Sequence, residues 1–79
     1  MILVRRDSQL TQHQLVEMEV RRVFDCSLEC IRQRTCVSFN FQQIELGRKG
    51  LCQLNDLLAE EHPSALQARV GFHYYKLLD

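Results

Sequence analysis

Several features that point to particular protein classes are missing from this sequence of 79 residues. Ten basic residues balance ten acidic ones, so the net charge of zero gives no sign of a nucleic-acid partner or of a charged membrane surface. The opening segment MILVRR is too short, and meets charged residues too soon, to be a signal peptide or a membrane span. We therefore expect no binding to nucleic acid and no insertion into a membrane.

Metal-binding and glycosylation motifs are missing as well. The chain has no C-x2-C pair, and its histidines, His13, His62 and His73, are not spaced as ligands. Neither Asn40 nor Asn55 lies in an Asn-X-Ser/Thr site. We expect no metal and no cofactor. A nucleophilic cysteine needs a partner histidine and a cleft, for which a chain this short has little room, so we expect no enzymatic activity.

The size of the chain limits its core. A composition that is 46% hydrophobic and 25% charged is typical of a globular domain, and we expect a single domain over residues 1–79. A core of this size supplies only about 3–5 kcal/mol of net stability. Disulfides, a metal or a partner often add to the stability of such domains.

Alternating apolar and polar residues predict strands. The predicted strands are residues 1–4 (MILV), 13–20 (HQLVEMEV), 36–41 (CVSFNF), 51–55 (LCQLN) and 72–78 (FHYYKLL). In the second and third of these strands, the residues expected to face the core are Val16, Met18, Val20, Val37, Phe39 and Phe41. The glycine-containing segment 45–50 predicts a turn, and residues 56–71, which hold the only proline, Pro63, predict a polar connection.

Residues 22–33 have a helical period instead. The broad apolar face holds Val23, Phe24, Ser27, Cys30 and Ile31, with Cys26 and Leu28 at its edges, while Asp25, Glu29 and Arg32 lie opposite. A face this wide needs to be covered by a sheet. The predicted fold class is therefore α+β, an antiparallel sheet of four to five strands that cradles a single α-helix and is held by two disulfides.

The four cysteines have the spacing C-x3-C-x5-C-x15-C, which allows three pairings. Cys26 and Cys30 are one helical turn apart with nearly parallel Cβ directions, which is poor geometry for a bridge between them. Both other pairings join helix to sheet. The short turn from Cys30 to Cys36 favours that local bridge, which leaves Cys26 to pair with Cys52.

Three residues of the strands raise smaller questions. Asn40 lies between two phenylalanines expected in the core, and we predict a structural role in which it hydrogen-bonds to backbone near a turn. Tyr74 and Tyr75 point to opposite sides of one strand, so we expect one of them to be exposed.

These residues resemble the PAN/apple domain family, found in the N-terminal domains of plasminogen and hepatocyte growth factor. The motifs that carry the resemblance are CSLEC, CVSFNF, CQLND and GFHYYK. The resemblance implies the bridges Cys26–Cys52 and Cys30–Cys36. Apple domains proper add a bridge between the terminal strands, but no cysteine lies before Cys26 or after Cys52 here. The chain resembles the four-cysteine branch, and we expect residues 1–9 to fray.

The resemblance also implies a function. It predicts a non-catalytic module outside the cell that binds an extracellular protein or a glycan, and that is secreted or is part of the ectodomain of a membrane protein. Two alternatives remain: a small zinc-stabilised intracellular domain, and a stand-alone secreted ligand or inhibitor miniprotein.

A basic patch on the predicted helix is one candidate ligand site. Its members are Arg21, Arg22, Arg32 and Arg34. Some members of the family that the chain resembles bind sulfated glycans, and the planar guanidinium fork of arginine suits sulfate. The alternative is a solvated helix surface whose charge is offset by Asp25 and Glu29, and we favour it.

Overall fold

A ten-residue helix lies between strands in the computed structural model of the chain, which describes residues 1–12 and 14–77. The elements are β1 (Ile2–Arg5), β2 (Ser8–Leu10), β3 (Gln14–Val20), α1 (Val23–Arg32), β4 (Ser38–Glu45), β5 (Lys49–Asn55), a 3-10 turn (Pro63–Ala65), β6 (Leu66–Ala68) and β7 (Phe72–Lys76). The predicted helix and all five predicted strands are confirmed. His13 and Leu78, at the ends of two predicted strands, lie outside the described residues.

Five antiparallel strands form the main sheet in the order β1-β7-β4-β5-β3. The hairpin of β4 and β5 places Phe39 opposite Leu54 and Phe41 opposite Cys52. Its turn holds Gly47 at a φ of 72°, a backbone conformation that glycine adopts without a steric penalty. The β4 strand ends later than predicted, because pairing with β5 continues to Glu45. The predicted α+β class is confirmed.

The helix packs on one face of this sheet and encloses the first core. Its buried members are Cys26, Cys30, Cys36, Phe39, Phe41, Cys52 and Leu54. The rings of Phe39 and Tyr75 stack with their centroids 5.1 Å apart. The pairings Cys26–Cys52 and Cys30–Cys36 are confirmed, with Cα atoms 5.5 Å and 5.2 Å apart. The first bridge joins α1 to β5, and the second joins α1 to the segment before β4.

A second core on the opposite face of the sheet was not predicted. Strands β2 and β6 form a separate two-stranded sheet, and the 3-10 turn and β6 both lie in the segment predicted as a polar connection. The buried residues of this core are Leu10, Ala59, Ala65 and Tyr74. The hydroxyl of Tyr74 accepts a hydrogen bond from the backbone N–H of Ala59 at 2.9 Å. The main sheet is therefore covered on both faces.

Asn40 joins the two sheets by hydrogen bonds to backbone. Its Oδ1 accepts from the N–H of Leu10 at 2.8 Å, and its Nδ2 donates to the carbonyl of Leu10 at 2.9 Å. Asn40 and Leu10 are both fully buried. The predicted structural role is confirmed, although the backbone it contacts is the end of β2 and is distant in sequence.

Other predicted side-chain positions need correction. Val16 was expected to face the core but is 39% exposed, because β3 is an edge strand with a neighbour on one side only. Val37, expected beside Phe39, precedes the first residue of β4 and is 37% exposed at the end of the sheet. The prediction that one of the two tyrosines would be exposed is wrong. Tyr74 is buried and Tyr75 is half-buried, because each face of β7 packs against a core of its own.

The N-terminal segment is paired along most of its length. β1 pairs with β7, and β2 pairs with β6. The residues of β1 are mostly exposed, whereas Ser8, Gln9 and Leu10 are buried. Fraying of residues 1–9 stays a prediction, and on this burial pattern we expect it to be confined to β1.

The two disulfides are expected to differ in their contribution to stability. The bridge Cys26–Cys52 spans 26 residues of sequence and Cys30–Cys36 spans 6. Loop entropy assigns about 3.5 kcal/mol to the longer bridge and about 2.2 kcal/mol to the shorter one. We expect Cys26→Ala with Cys52→Ala to lower the melting temperature by about 5–10 °C more than Cys30→Ala with Cys36→Ala. Equal losses in thermal melts of the two double variants would contradict this entropic account.

Removing the Asn40 amide is expected to destabilise the fold. Asn40→Ala leaves the buried N–H and carbonyl of Leu10 without these partners, which costs about 2–5 kcal/mol for the two groups together. Urea unfolding measures the change. The control is Gln67→Ala, an exposed position in β6 where we expect a change below about 0.5 kcal/mol. Equal effects of the two substitutions would show that the Asn40 contacts do not hold β2.

Candidate recognition surface

The disulfides determine which side of α1 is buried. Cys26 and Cys30 are fully buried and Ser27 nearly so, whereas Phe24 is 60% and Ile31 is 64% exposed. The prediction that Phe24 and Ile31 would be covered with the rest of the apolar face is wrong. The bridges must reach β5 and the segment before β4, so the helix turns its cysteine side inward. Phe24 and Ile31 lie about a third of a turn or more away from the midpoint of Cys26 and Cys30, at about 100° per residue.

Both ends of α1 are fixed by polar contacts. At its start, the carboxylate of Asp25 accepts from the backbone N–H of Arg22 at 3.2 Å, next to the positive end of the helix dipole. The carbonyl of Arg21 accepts from the side chain of Gln43 in β4 at 2.9 Å. In the last turn, Arg32 forms an ion pair with Glu29 at 3.0 Å. The outer surface of the helix is therefore held in place by the sheet beneath it.

A groove of about 620 Å³ lies beside the exposed flank of the helix. The side chains on its walls include Phe24, Leu28, Ile31, Leu77, Met1 and Arg34. Its buried members include Cys30 and Cys36, which form a disulfide with each other. A second groove of about 330 Å³ shares Cys36 and Leu77 with the first and adds Val37 and Leu58. The two grooves together form one mostly apolar surface, called the helix groove below.

The arginines of the predicted basic patch lie at two ends of the helix. Arg21 and Arg22 precede α1, whereas Arg32 is its last residue and Arg34 follows it. A helix rises 1.5 Å per residue, which puts the two pairs about 15 Å apart along its axis. Among the described residues, Arg34 is the only charged side chain that lines the larger groove. Within residues 1–12 and 14–77, Arg34 takes part in no ion pair.

Few other groups in the described part of the chain suggest chemistry. No three side chains of His, Cys, Asp or Glu lie together as metal ligands within that part. Nδ1 of His73 accepts a hydrogen bond from the backbone N–H of Asp7 at 3.1 Å. Burial raises the pKa of the Tyr75 phenol above its ordinary value, and the nearby charge of Arg6 opposes the shift. No helix among the described residues is long and apolar enough to cross a bilayer.

The helix groove was not predicted, although one signal for it was in the sequence. Phe24, Leu28 and Ile31 widen the apolar side of α1 beyond the part that carries the two cysteines. The cysteine pairing already fixed which side must face the sheet. The surplus of apolar side chains therefore had to lie at the flank, where the structure places it.

One comparison with known proteins gives a match. A family model described as PAN domain matches residues 4–79, which is nearly the whole chain. No curated protein and no solved structure matches the chain significantly. Modules of the matching family are rich in disulfides and known for interactions with proteins and carbohydrates, and they are generally non-catalytic.

Proposed function

Since the chain belongs to the PAN domain family, we propose that it is a non-catalytic recognition module that acts outside the cell and binds a protein or a glycan. It is secreted or forms part of the ectodomain of a membrane protein. Binding takes place at a surface of fixed shape and needs no cofactor.

The observation that carries the proposal is that all four cysteines form disulfides. Both bridges join the only α-helix of the described residues to the sheet or to the segment before it. Such bridges persist in oxidising compartments and are rare in the cytosol. They support an extracellular module over the zinc-stabilised alternative, because a disulfide sulfur has no thiolate to offer to a metal.

The position of the helix supports the recognition role. Its inner side is fixed by sulfur bridges, while its outer side exposes apolar and cationic side chains next to a groove. A surface that is rigid before binding loses little conformational entropy when a ligand arrives. A glycan ligand would contact this surface through Arg32 and Arg34, because the guanidinium fork suits sulfate.

The redox state of the cysteines tests the proposed environment. We expect the protein from a secreting host to gain four hydrogens in intact mass on reduction, two for each bridge. Without reduction, it should not react with a thiol reagent, even when unfolded. Free thiols together with a bound metal would refute the extracellular proposal in favour of the zinc-stabilised domain.

A heparin column tests the basic patch. We expect Arg32→Ala with Arg34→Ala to lower the salt concentration at which the protein elutes, because sulfate binding is largely electrostatic and is screened by salt. The matched control is Arg48→Ala with Lys49→Ala, which removes two positive charges in or next to the β4–β5 turn. Elution at low salt that neither pair of substitutions changes would reject the patch as a glycan site.

A further inference from the structure

We propose that the helix groove binds a segment of a partner protein that presents a row of apolar side chains flanked by carboxylates. This inference rests on the proposed function, because it names the class of partner for the same recognition surface. It is supported by the spacing of the exposed apolar residues, the shape of the groove and the charges around it.

The exposed apolar residues form a row along the helix. Phe24, Leu28 and Ile31 are spaced at i, i+4 and i+7, so they lie on one flank, and they are 60%, 37% and 64% exposed. Contiguous apolar exposure of this kind marks an interaction surface, whereas single exposed residues do not. Leu46 and Val70 are 91% and 88% exposed, but each lies in a turn and lines neither part of the helix groove.

The groove has the shape to accept such a segment. Side chains of the helix line the groove together with Leu77 and the buried Cys30–Cys36 disulfide. The surface continues past Leu77 to Val37 and Leu58. An apolar groove beside a helix suits a second, amphipathic helix, which places its apolar anchors one turn apart. The disulfide holds the walls in position before the partner binds.

Among the described residues, Arg34 is the one charged side chain that lines the groove. Asp25 and Glu29 do not line it, and the Glu29 carboxylate is paired with Arg32. Arg34 lines the groove and has no ion-pair partner among residues 1–12 and 14–77. A partner that flanks its apolar row with Asp or Glu would complement Arg34, and complementary charge fixes the register and speeds association.

The same charges disfavour two other occupants. In an antiparallel pairing of two copies of α1, Arg34 of one copy would lie near Arg21 and Arg22 of the other, and like charges across an interface are repulsive. A sulfated glycan would satisfy Arg34 but would leave its hydroxyl groups facing the apolar walls, where they find few hydrogen-bond partners. A protein segment with apolar and acidic side chains complements both the apolar walls of the groove and the charge of Arg34.

The test uses two synthetic helical peptides and the oxidised chain. Each peptide has about 18 residues, long enough to hold a helix, with leucines at i, i+4 and i+7. One carries glutamates beside the leucines, and its twin carries lysines there. We expect the glutamate peptide to bind at least about tenfold more tightly in a fluorescence anisotropy titration. Its binding should shift the backbone amide NMR signals of Phe24, Leu28, Ile31 and Arg34.

Variants of the chain locate the binding site. Phe24→Ser with Ile31→Ser should weaken binding of the glutamate peptide at least about tenfold, as expected for central apolar anchors. Ile44→Ser with Leu46→Ser is the matched control, because both residues are exposed and apolar but lie outside the groove. Arg34→Glu should reverse the preference to the lysine peptide. That gain of binding requires a folded protein, so it separates a lost contact from a lost fold.

Several results would overturn the inference. They are equal affinity for the two peptides, no binding of the glutamate peptide, and amide shifts that map elsewhere on the chain. Amide shifts in the groove produced only by a heparin fragment would assign it to a glycan. A dimer in light scattering that Phe24→Ser with Ile31→Ser dissociates would assign it to a second copy. None of these results refutes the extracellular module, which fails separately if the cysteines are free thiols.

Discussion

The two sulfur bridges from α1 constrain the rest of this domain. Among the described residues, four of the seven buried members of the core between helix and sheet are cysteines, and the other three are Phe39, Phe41 and Leu54. A core with so few large side chains supplies little stability by apolar burial alone. By limiting the conformations of the unfolded chain, the bridges favour the folded state. They also fix the helix in rotation, because sulfurs one turn apart at Cys26 and Cys30 must both reach inward.

That fixed rotation links stability to recognition. In a domain held by apolar burial alone, a helix turns its most hydrophobic side toward the sheet. Here the cysteine side faces inward, and Phe24, Leu28 and Ile31 are left at the flank, next to a groove that Arg34 also lines. Phe24 and Ile31 are more than half exposed, so they contribute less to the core than to the outer surface. The constraint that stabilises the domain thus also creates the surface proposed to bind a partner.

The opposite face of the sheet is held by polar contacts. Apple domains proper tie their terminal strands with a third bridge, which this chain lacks. The N-terminal segment is attached instead through Asn40, which hydrogen-bonds to the backbone of Leu10, and through Gln9, whose amide donates to Gln53 in β5 at 2.7 Å. Buried hydrogen bonds of this kind are specific because an unpaired partner is costly. They hold β2 against the main sheet, with Leu10 in the second core.

The sequence by itself determined the helix, the five strands of the main sheet, the two disulfides and the structural role of Asn40. Each of these follows from local periodicity, from the reach of a disulfide, or from the need of a buried amide for partners. Only the tertiary structure decided that β2 pairs with β6, that Val16 lies exposed on an edge strand, and that Phe24 and Ile31 line a groove. Strands of three residues carry too little periodicity to be recognised. Exposure depends on which distant segments cover a residue, and that is settled only when the whole chain packs.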